Sequence, residues 1–194
     1  MNVDNTPEAD TSSSTNVPRT GRALPLVPHD DPKLYTKLPE FKFDGTFDTD
    51  QIALDLIATM RAKKGYGLSA NQVGLMHRVF VMDGITPYVC FNPKIVEIGD
   101  EVSPALEEGC LSFPGLNLKI SRPLRIRVRF TTPNSQVTTK EFMGMTARCF
   151  IHETMHLDGY PFFTGVGRLK LERAIKSAKK RGFDYDGQGL LRFA

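Results

Sequence analysis

The sequence predicts an α+β fold in one main domain. Segments with strand-like alternation are grouped in the middle of the chain, and segments with helix-like periodicity lie on either side of them. This grouping is typical of α+β proteins, since α/β proteins alternate strands with helices. With 194 residues, of which 40% are hydrophobic, the chain can bury one substantial core. Its net charge of +3 is too small to indicate a nucleic-acid-binding protein by itself.

The N-terminal segment, residues 1–23, is expected to be disordered, because it is rich in Ser, Thr, Asn and Pro and contains little to bury. Asp4, Glu8 and Asp10 argue against a transit peptide, and the layout of a secretory signal is absent. No stretch is apolar enough to span a membrane, so we expect a cytoplasmic protein without a membrane partner. The folded domain is predicted to span residues 24–182, with residues 183–194 as a tail.

The first helix is predicted in the segment DTDQIALDLIATMRAKKG. Asp48 is a suitable N-cap with Gln51 three residues later, which is the spacing of a capping box. Apolar residues from Ile52 to Met60 recur at helical spacing and give the helix one buried face. Gly65 is expected to end it.

Strands are predicted in HRVFVMDG, YVCFNPKIVEIG and LKISRPLRIRVRFTT. In residues 125–130 of the last segment, arginines alternate with Ile126, Val128 and Phe130. This period of two indicates an antiparallel strand with one buried and one exposed face.

Two further helices are predicted after the strands. TARCFIHETMHLDG has Thr146 as a possible N-cap and Gly159 as its stop. LKLERAIKSAKKRG is expected to form a C-terminal helix over about residues 168–181. Its basic residues spread over one face and its apolar residues form the other.

The helix that contains HETMH carries a candidate metal site. His152 and His156 are four residues apart, so on a helix they project from one face, about 40° from each other. Glu153 lies on the flank of that face, where a carboxylate can act as general base toward a water molecule on the metal. Such a spacing is typical of metallohydrolases.

A metal held by two histidines needs a third protein ligand, and the residues alone leave the choice open. Cys149 lies on the same helix, but seven residues, or about 10.5 Å, separate it from His156. Phe162 occupies the position that a metzincin fills with histidine, and no histidine follows His156. The remaining candidates are His29, His77, Cys90, Cys110 and Glu172.

Two of these candidates lead to different functions. Glu172 as ligand would make the protein a zinc metallopeptidase with a downstream carboxylate, but an exposed ion pair with Lys176 four residues later is the expected role. Cys110 stands in EEGCLSFPG, a glycine-flanked turn where a thiolate can be presented outward. On chemistry alone, Cys110 is the favoured ligand. A divergent non-catalytic metal-binding module is the third alternative, and it would unfold on chelation.

Three motifs in order, GYGLSANQVG, EGCLS and HETMHLDG, resemble the signature motifs of the peptide deformylase family. The lead-in HDDPKLYTKLPEF and the strand CFNPKI are also similar, so the resemblance covers about residues 24–175. It implies antiparallel β-sheets packed around a central helix that carries the HExxH motif. It also implies one divalent metal ion per chain, bound by Cys110, His152 and His156. Ferrous iron is the expected ion, with zinc, nickel or cobalt as substitutes.

The resemblance implies a reaction and further site residues. The reaction is removal of the N-formyl group from the initiator methionine of nascent polypeptides, with release of formate. Glu153 is then the general base, while the Gln72 side-chain amide and the Leu111 backbone N–H stabilise the growing negative charge. The substrate backbone is expected along the edge strand formed by Gly65, Tyr66 and Gly67. The methionine pocket is expected to be lined by Tyr66, Met145 and Cys149.

The sequence departs from the family pattern at three positions. Ser69 replaces a usual alanine, Ile151 stands where glutamine commonly precedes the first histidine, and Met155 replaces the usual aspartate before the second. The last two remove polar partners for the ligands, so we expect effects on metal affinity and rate rather than on reaction type. The basic C-terminal helix is expected to meet the ribosome, and the protein is expected to be a monomer.

Overall fold

The computed structural model describes residues 19–194, which form antiparallel sheets and helices in the predicted α+β arrangement. The helices are α1 (Thr49–Ala62), α2 (Gly144–Leu157), α3 (Arg168–Lys180) and α4 (Gly187–Leu191). The strands are β1 (Gly67–Ser69), β2 (Val79–Met82), β3 (Tyr88–Ile98), β4 (Leu106–Cys110), β5 (Phe113–Ile120), β6 (Arg125–Thr131) and β7 (Val137–Met143). Short 3-10 helices cover Pro32–Tyr35 and Ala70–Val73.

The main sheet has five strands in the order β1, β2, β3, β6, β7, and every neighbouring pair is antiparallel. Strands β4 and β5 form a separate antiparallel hairpin. Strand β2, the second in this order, is buried along its whole length, because α1 covers one face of the sheet there and α2 the other. The predicted alternation in β6 is confirmed, since Ile126, Val128 and Phe130 are buried between exposed arginines.

Helix α1 begins with the predicted N-cap, but the hydrogen bonding at its C-terminal end differs slightly from the prediction. The Asp48 side chain accepts a hydrogen bond from the Gln51 backbone N–H at 3.0 Å. At the other end, Gly65 N–H bonds to Met60 O at 2.9 Å, but the left-handed residue is Lys64, with φ of 55°. Gly65 ends the helix as the closing donor of a Schellman motif, one residue after the left-handed position that glycine usually occupies.

Helix α2 begins earlier than the sequence predicted. Thr146 is not its N-cap, because the helix starts at Gly144 directly after β7. Gly144 has φ of 58°, which costs glycine little, and it lets the strand turn straight into the helix. Gly159 ends α2 as predicted, with φ of 78° and an N–H bond to His156 O at 3.1 Å. The metal motif therefore lies in the last two turns of a helix packed beneath the main sheet.

Both predicted ends of the domain need correction. Residues 1–23 were predicted to be disordered, and residues 1–18 of this segment lie outside the described residues. Residues 19–23 run along α1 instead, where Arg22 N–H donates to the Asp55 carboxylate at 2.7 Å. The predicted tail, residues 183–194, contains α4 and buries Tyr185 and Leu190 in a cluster with Phe163. Its apolar side chains are spaced widely in the sequence, and they meet only when the segment folds back on β5.

The predicted C-terminal helix is present as α3, one residue shorter than expected at its end. Its apolar face, with Leu171 and Ala178 buried, packs against β5. None of the helices in the described part of the chain is both long and apolar enough to cross a membrane.

Candidate metal centre and active site

Three side chains from two elements converge beneath the main sheet. Helix α2 supplies His152 and His156 from one face, and Cys110 reaches them from the end of β4. The possible ligand atoms of all three lie within 4.8 Å of one another, and Cys110 Sγ is 3.1 Å from His156 Nε2. Within residues 19–194, no other group of three or more His, Cys, Asp or Glu side chains has this geometry.

The other candidate ligands lie elsewhere. Glu172 is on α3 and pairs with Arg168 at 2.9 Å, so the predicted pairing with Lys176 is wrong and the partner is one turn earlier. Cys90 is fully buried in the core beneath the sheet. His29 packs edge-on against Tyr185, His77 packs against Phe41 and Phe47, and Cys149 approaches the Tyr66 carbonyl oxygen.

The donor set fits a divalent metal ion. Burial raises the pKa of the Cys110 thiol, but the charge of His156 and the hydrogen bonds of both histidines outweigh it and lower that pKa to about 5. The sulfur is therefore held as a thiolate, the form that binds metals. A thiolate with two imidazoles suits late divalent ions. By contrast, burial raises the pKa of Cys149 well above its usual value, so that thiol stays protonated.

A buried carboxylate orients the first histidine. His152 Nδ1 is 2.9 Å from Glu108 Oε1, which leaves Nε2 to face Cys110 and the proposed ion. Arg122 and Arg148 each donate to Glu108 at 2.7 Å. Burial by itself raises the pKa of Glu108, but the hydrogen bonds from His152 and Arg122 hold it at about 2. Glu108 is thus ionised whenever the protein is folded at neutral pH.

Glu108, Arg122 and Arg148 are site residues that the sequence did not predict. One signal was available on α2, because Arg148 lies one turn before His152 on the same buried face, and a buried cation requires a buried anion. Glu108 also stands inside the EGCLS motif. Arg122 gave no local signal, since it meets Glu108 only through the fold.

Ile151 and Met155, the two residues next to the histidines that depart from the family pattern, have different surroundings. The Met155 sulfur accepts a hydrogen bond from Arg122 Nη1 at 3.3 Å, so this position keeps a polar contact with the network. Ile151 packs against the core beneath the sheet. The carboxylate partner of the metal site is Glu108, from another element, and not a side chain beside the histidines on α2.

The Glu153 carboxylate lies beside the donor set and is almost fully buried. Its Oε2 atom accepts a hydrogen bond from the Ser69 hydroxyl at 2.7 Å. Burial raises the pKa of Glu153, which makes this carboxylate a better proton acceptor than an exposed one. A side chain at Gly67 would place its Cβ 2.5 Å from Glu153 Oε1 and 2.8 Å from Cys149 Sγ. Glycine is therefore required at position 67, where β1 passes next to the Glu153 carboxylate.

Gln72 is held with its amide nitrogen toward Cys110. Its Oε1 atom accepts from the Ser69 backbone N–H at 2.8 Å. Its Nε2 atom donates to Ser112 Oγ at 3.0 Å and lies 3.6 Å from Cys110 Sγ. Leu111 follows Cys110 in the turn between β4 and β5. Both predicted hydrogen-bond donors therefore lie around the cysteine.

A cavity of about 350 Å³ opens over the donor set, between β1, β4 and α2. Tyr66 and Met145 are 74% and 53% exposed at its mouth, so large apolar side chains meet solvent there. Strand β1 is an edge of the main sheet and can accept a further strand. The residues predicted to bind substrate all line this cavity: Gly65, Tyr66, Gly67, Met145 and Cys149.

Comparison with known protein families gives a match over most of the chain. The sequence profile of the polypeptide deformylase family matches residues 23–172. The peptide deformylase of Wolbachia pipientis wMel is 34% identical over 171 residues, which cover 81% of this chain and 94% of that protein. A peptide deformylase-like protein of Rhizobium meliloti (strain 1021) is 34% identical over 160 residues, covering 80% and 91%.

Solved structures give the same result for the fold. The peptide deformylase of Thermus thermophilus has a TM-score of 0.74 and 33% identity, covering 88% of this chain and 97% of that one. A peptide deformylase from Synechococcus elongatus in complex with actinonin has a TM-score of 0.75 and 31% identity, covering 84% and 88%. These similarities include the elements that carry the candidate site.

Proposed function

Because this chain belongs to the polypeptide deformylase family, we propose that it removes the N-formyl group from the initiator methionine of nascent polypeptides and releases formate. It is a metal-dependent hydrolase. The observation that carries the proposal is the convergence of Cys110, His152 and His156, with Cys110, His152 and the Glu153 carboxylate lining the cavity. One ion per chain would be held by these three side chains.

When bound, the ion supplies Lewis-acid activation of water and of the formyl carbonyl. Glu153 accepts the proton of the attacking water and passes it to the leaving amine nitrogen. The Gln72 Nε2–H and the Leu111 backbone N–H donate hydrogen bonds to the carbonyl oxygen as negative charge grows on it. The fixed position of the Gln72 amide, set by Ser69 and Ser112, supports this role because no reorganisation is needed during the reaction.

The cavity walls suit an N-terminal methionine in extended conformation. The edge strand β1 begins only at Gly67, so Gly65 and Tyr66 lead into the strand and do not form it as predicted. We propose that the backbone from Gly65 to Gly67, which lines the cavity, pairs with a substrate backbone. Met145 and Cys149 lie on the same stripe of α2 as the histidines and face the cavity. Their soft, apolar side chains suit the thioether of methionine.

The ion is proposed to be Fe²⁺, with Zn²⁺, Ni²⁺ or Co²⁺ as substitutes. A thiolate with two imidazoles binds each of these ions, and their availability decides among them. Metal analysis of protein purified without oxygen tests the proposal, with iron expected near one equivalent per chain.

The proposed partners are formyl-methionyl nascent peptides and the ribosome, and the enzyme is proposed to act as a monomer in the cytoplasm. Support for the ribosome comes from α3, whose outer face is strongly basic. Among the described residues, Arg173, Lys176 and Lys180 make no ion pair on that face. Such a surface can meet rRNA phosphates in a salt-dependent manner.

The activity is tested with paired peptides on metal-loaded protein. Formyl-Met-Ala-Ser should release formate, whereas acetyl-Met-Ala-Ser should react poorly, because the extra methyl group crowds the carbonyl carbon. Equal rates on the two peptides would count against the proposal. Cleavage between residues of the acetylated peptide would instead favour a metallopeptidase.

A further inference from the structure

The Glu153 carboxylate has one protein hydrogen-bond donor within residues 19–194, and it comes from another element. The Ser69 hydroxyl lies 2.7 Å from Glu153 Oε2 and 3.0 Å from the Glu153 backbone oxygen. Ser69 is completely buried at the end of β1, and Glu153 is only 4% exposed. The contact is therefore shielded from solvent, where a hydrogen bond to a carboxylate is strong.

The two carboxylate oxygens of Glu153 are placed differently. Oε2 points to Ser69, whereas Oε1 occupies the space beside Gly67 that a Cβ would fill, and Gly67 lines the cavity. From this difference we propose that Ser69 is a positioning residue, whose hydroxyl fixes Oε2 of Glu153 and leaves Oε1 to take up the proton from the attacking water. The inference rests on the proposed deformylase function.

A hydroxyl at this position assists a general base because the glutamate side chain has several rotamers. Only the rotamer that brings the oxygen within hydrogen-bond reach of the water is productive. Helix α2 fixes the Cα of Glu153 but leaves the end of the side chain to its contacts. The hydroxyl from β1 supplies a second point of attachment, so the carboxylate is held between the helix and the sheet edge.

Ser69 also contacts Gln72, one of the two proposed hydrogen-bond donors to the substrate carbonyl oxygen. Its backbone N–H donates to Gln72 Oε1 at 2.8 Å, so one residue holds the base and the carbonyl-facing amide. Any residue except proline can make the backbone bond at position 69, whereas the bond to Glu153 requires a side-chain donor. Ser69→Ala therefore removes the hydroxyl, with its bonds to Glu153 and its capping-box contact with the Gln72 backbone N–H, and keeps the backbone bond that holds the Gln72 side chain.

The test compares Ser69→Ala with wild type in kcat, KM, metal content and crystal structure. We expect kcat on a formyl-Met peptide to fall about tenfold, with KM within about twofold and metal content unchanged. The electron density of Glu153 should show a second rotamer. Thr154→Val is the matched control. Thr154 also has a buried hydroxyl, but it lies on α2 and donates to the Phe150 backbone oxygen instead of Glu153. Its kcat should equal that of wild type.

A double variant distinguishes positioning from general structural support. If Ser69 acts through Glu153, then Ser69→Ala should change the residual rate of Glu153→Ala by less than about twofold. A tenfold loss in that background as well would overturn the inference, as would an unchanged kcat of Ser69→Ala in otherwise wild-type protein. Wild type without activity on formyl-Met peptides would overturn the proposed function itself, and the inference with it.

Discussion

Glu153 and Cys110 reach the same cavity from different elements, and the proposed chemistry gives them separable roles. Glu153→Ala should leave metal content near normal and lower turnover by about two to four orders of magnitude, because base catalysis is lost while the carbonyl-facing donors remain. Cys110→Ala should remove the metal itself, and Cys110→Ser should retain weak binding, since a hydroxyl is a harder ligand than a thiolate.

Cys149→Ser is the control for this comparison. Its thiol lies at the cavity wall and stays protonated, so this variant should keep the ion and change mainly substrate affinity. The measurement is metal stoichiometry of all four variants beside their rates on one formyl-Met peptide. Full metal content in Cys110→Ala, together with its loss in Cys149→Ser, would reverse the proposed ligand assignment.

Met145 gives a test of the methionine pocket. Met145→Asp places a charge where the proposed substrate side chain lies, so kcat/KM for formyl-Met peptides should fall by roughly tenfold or more. Met143→Asp is a matched control, because Met143 is similarly exposed but lies outside this cavity. Steady-state kinetics of both variants decide the question, and an unchanged methionine preference in Met145→Asp would remove Met145 from the pocket.

Among the elements, α3 has two faces with different roles. Its apolar face is part of the core, where Leu171 and Ala178 pack with Tyr185 and Leu190 of the C-terminal segment. Deleting the helix would therefore damage the fold as well as any binding surface. Substitutions on the outer face test ribosome binding without this complication.

Lys176→Glu with Lys180→Glu should weaken ribosome binding about tenfold near physiological salt and reduce its salt dependence, because phosphate contacts are lost. Lys37→Glu with Lys42→Glu carries the same charge change on exposed positions outside α3. Co-sedimentation at several salt concentrations compares the two. The same affinity for both double variants would show that α3 is only a solvated helix.

The elements that the sequence predicted well are those whose signals are local. Helix α1 could be predicted because its cap, its apolar stripe and its stop lie within one segment, and the arginine alternation of β6 likewise lies in consecutive residues. The start of α2 was missed because Gly144 adopts a left-handed backbone conformation at the end of a strand. Glycine allows this conformation, but a glycine in the sequence does not by itself predict it. The docking of the segment after α3 depends on contacts with β5 that no local pattern encodes.

For the site, sequence motifs brought the ligands, the base and the cavity residues into one hypothesis. In the structure the three candidate ligands converge, and all but His156 of these residues line one cavity. The network behind them was missed because its members are distant along the chain. Glu108 is 14 residues from Arg122 and 40 from Arg148, and only the fold brings their charges together. Ser69 was noticed only as a departure from a family pattern, since its contact with Glu153 spans 84 residues.

On the scale of the whole fold, Glu108 joins the β4–β5 hairpin to α2 and to the segment before β6. Its side chain is only 5% exposed, and burying a carboxylate between two arginines is favourable only while it is ionised. In the unfolded chain its pKa returns to about 4.5, compared with about 2 in the folded protein. The contact should therefore make the stability of the entire domain sensitive to acid.

The direction of this effect follows from the lowered pKa. The contribution of Glu108 is fully present above pH 4.5 and is lost as pH falls toward about 2, with a total of about 3 kcal/mol of unfolding free energy. About 2 kcal/mol of this should be gone by pH 3. Urea unfolding from pH 7 to pH 3 should therefore show a steeper acid loss for wild type than for Glu108→Gln. Glu97→Gln, which removes an exposed partner of Arg127 at 3.9 Å, should retain the wild-type slope, and parallel curves for wild type and Glu108→Gln would contradict the prediction.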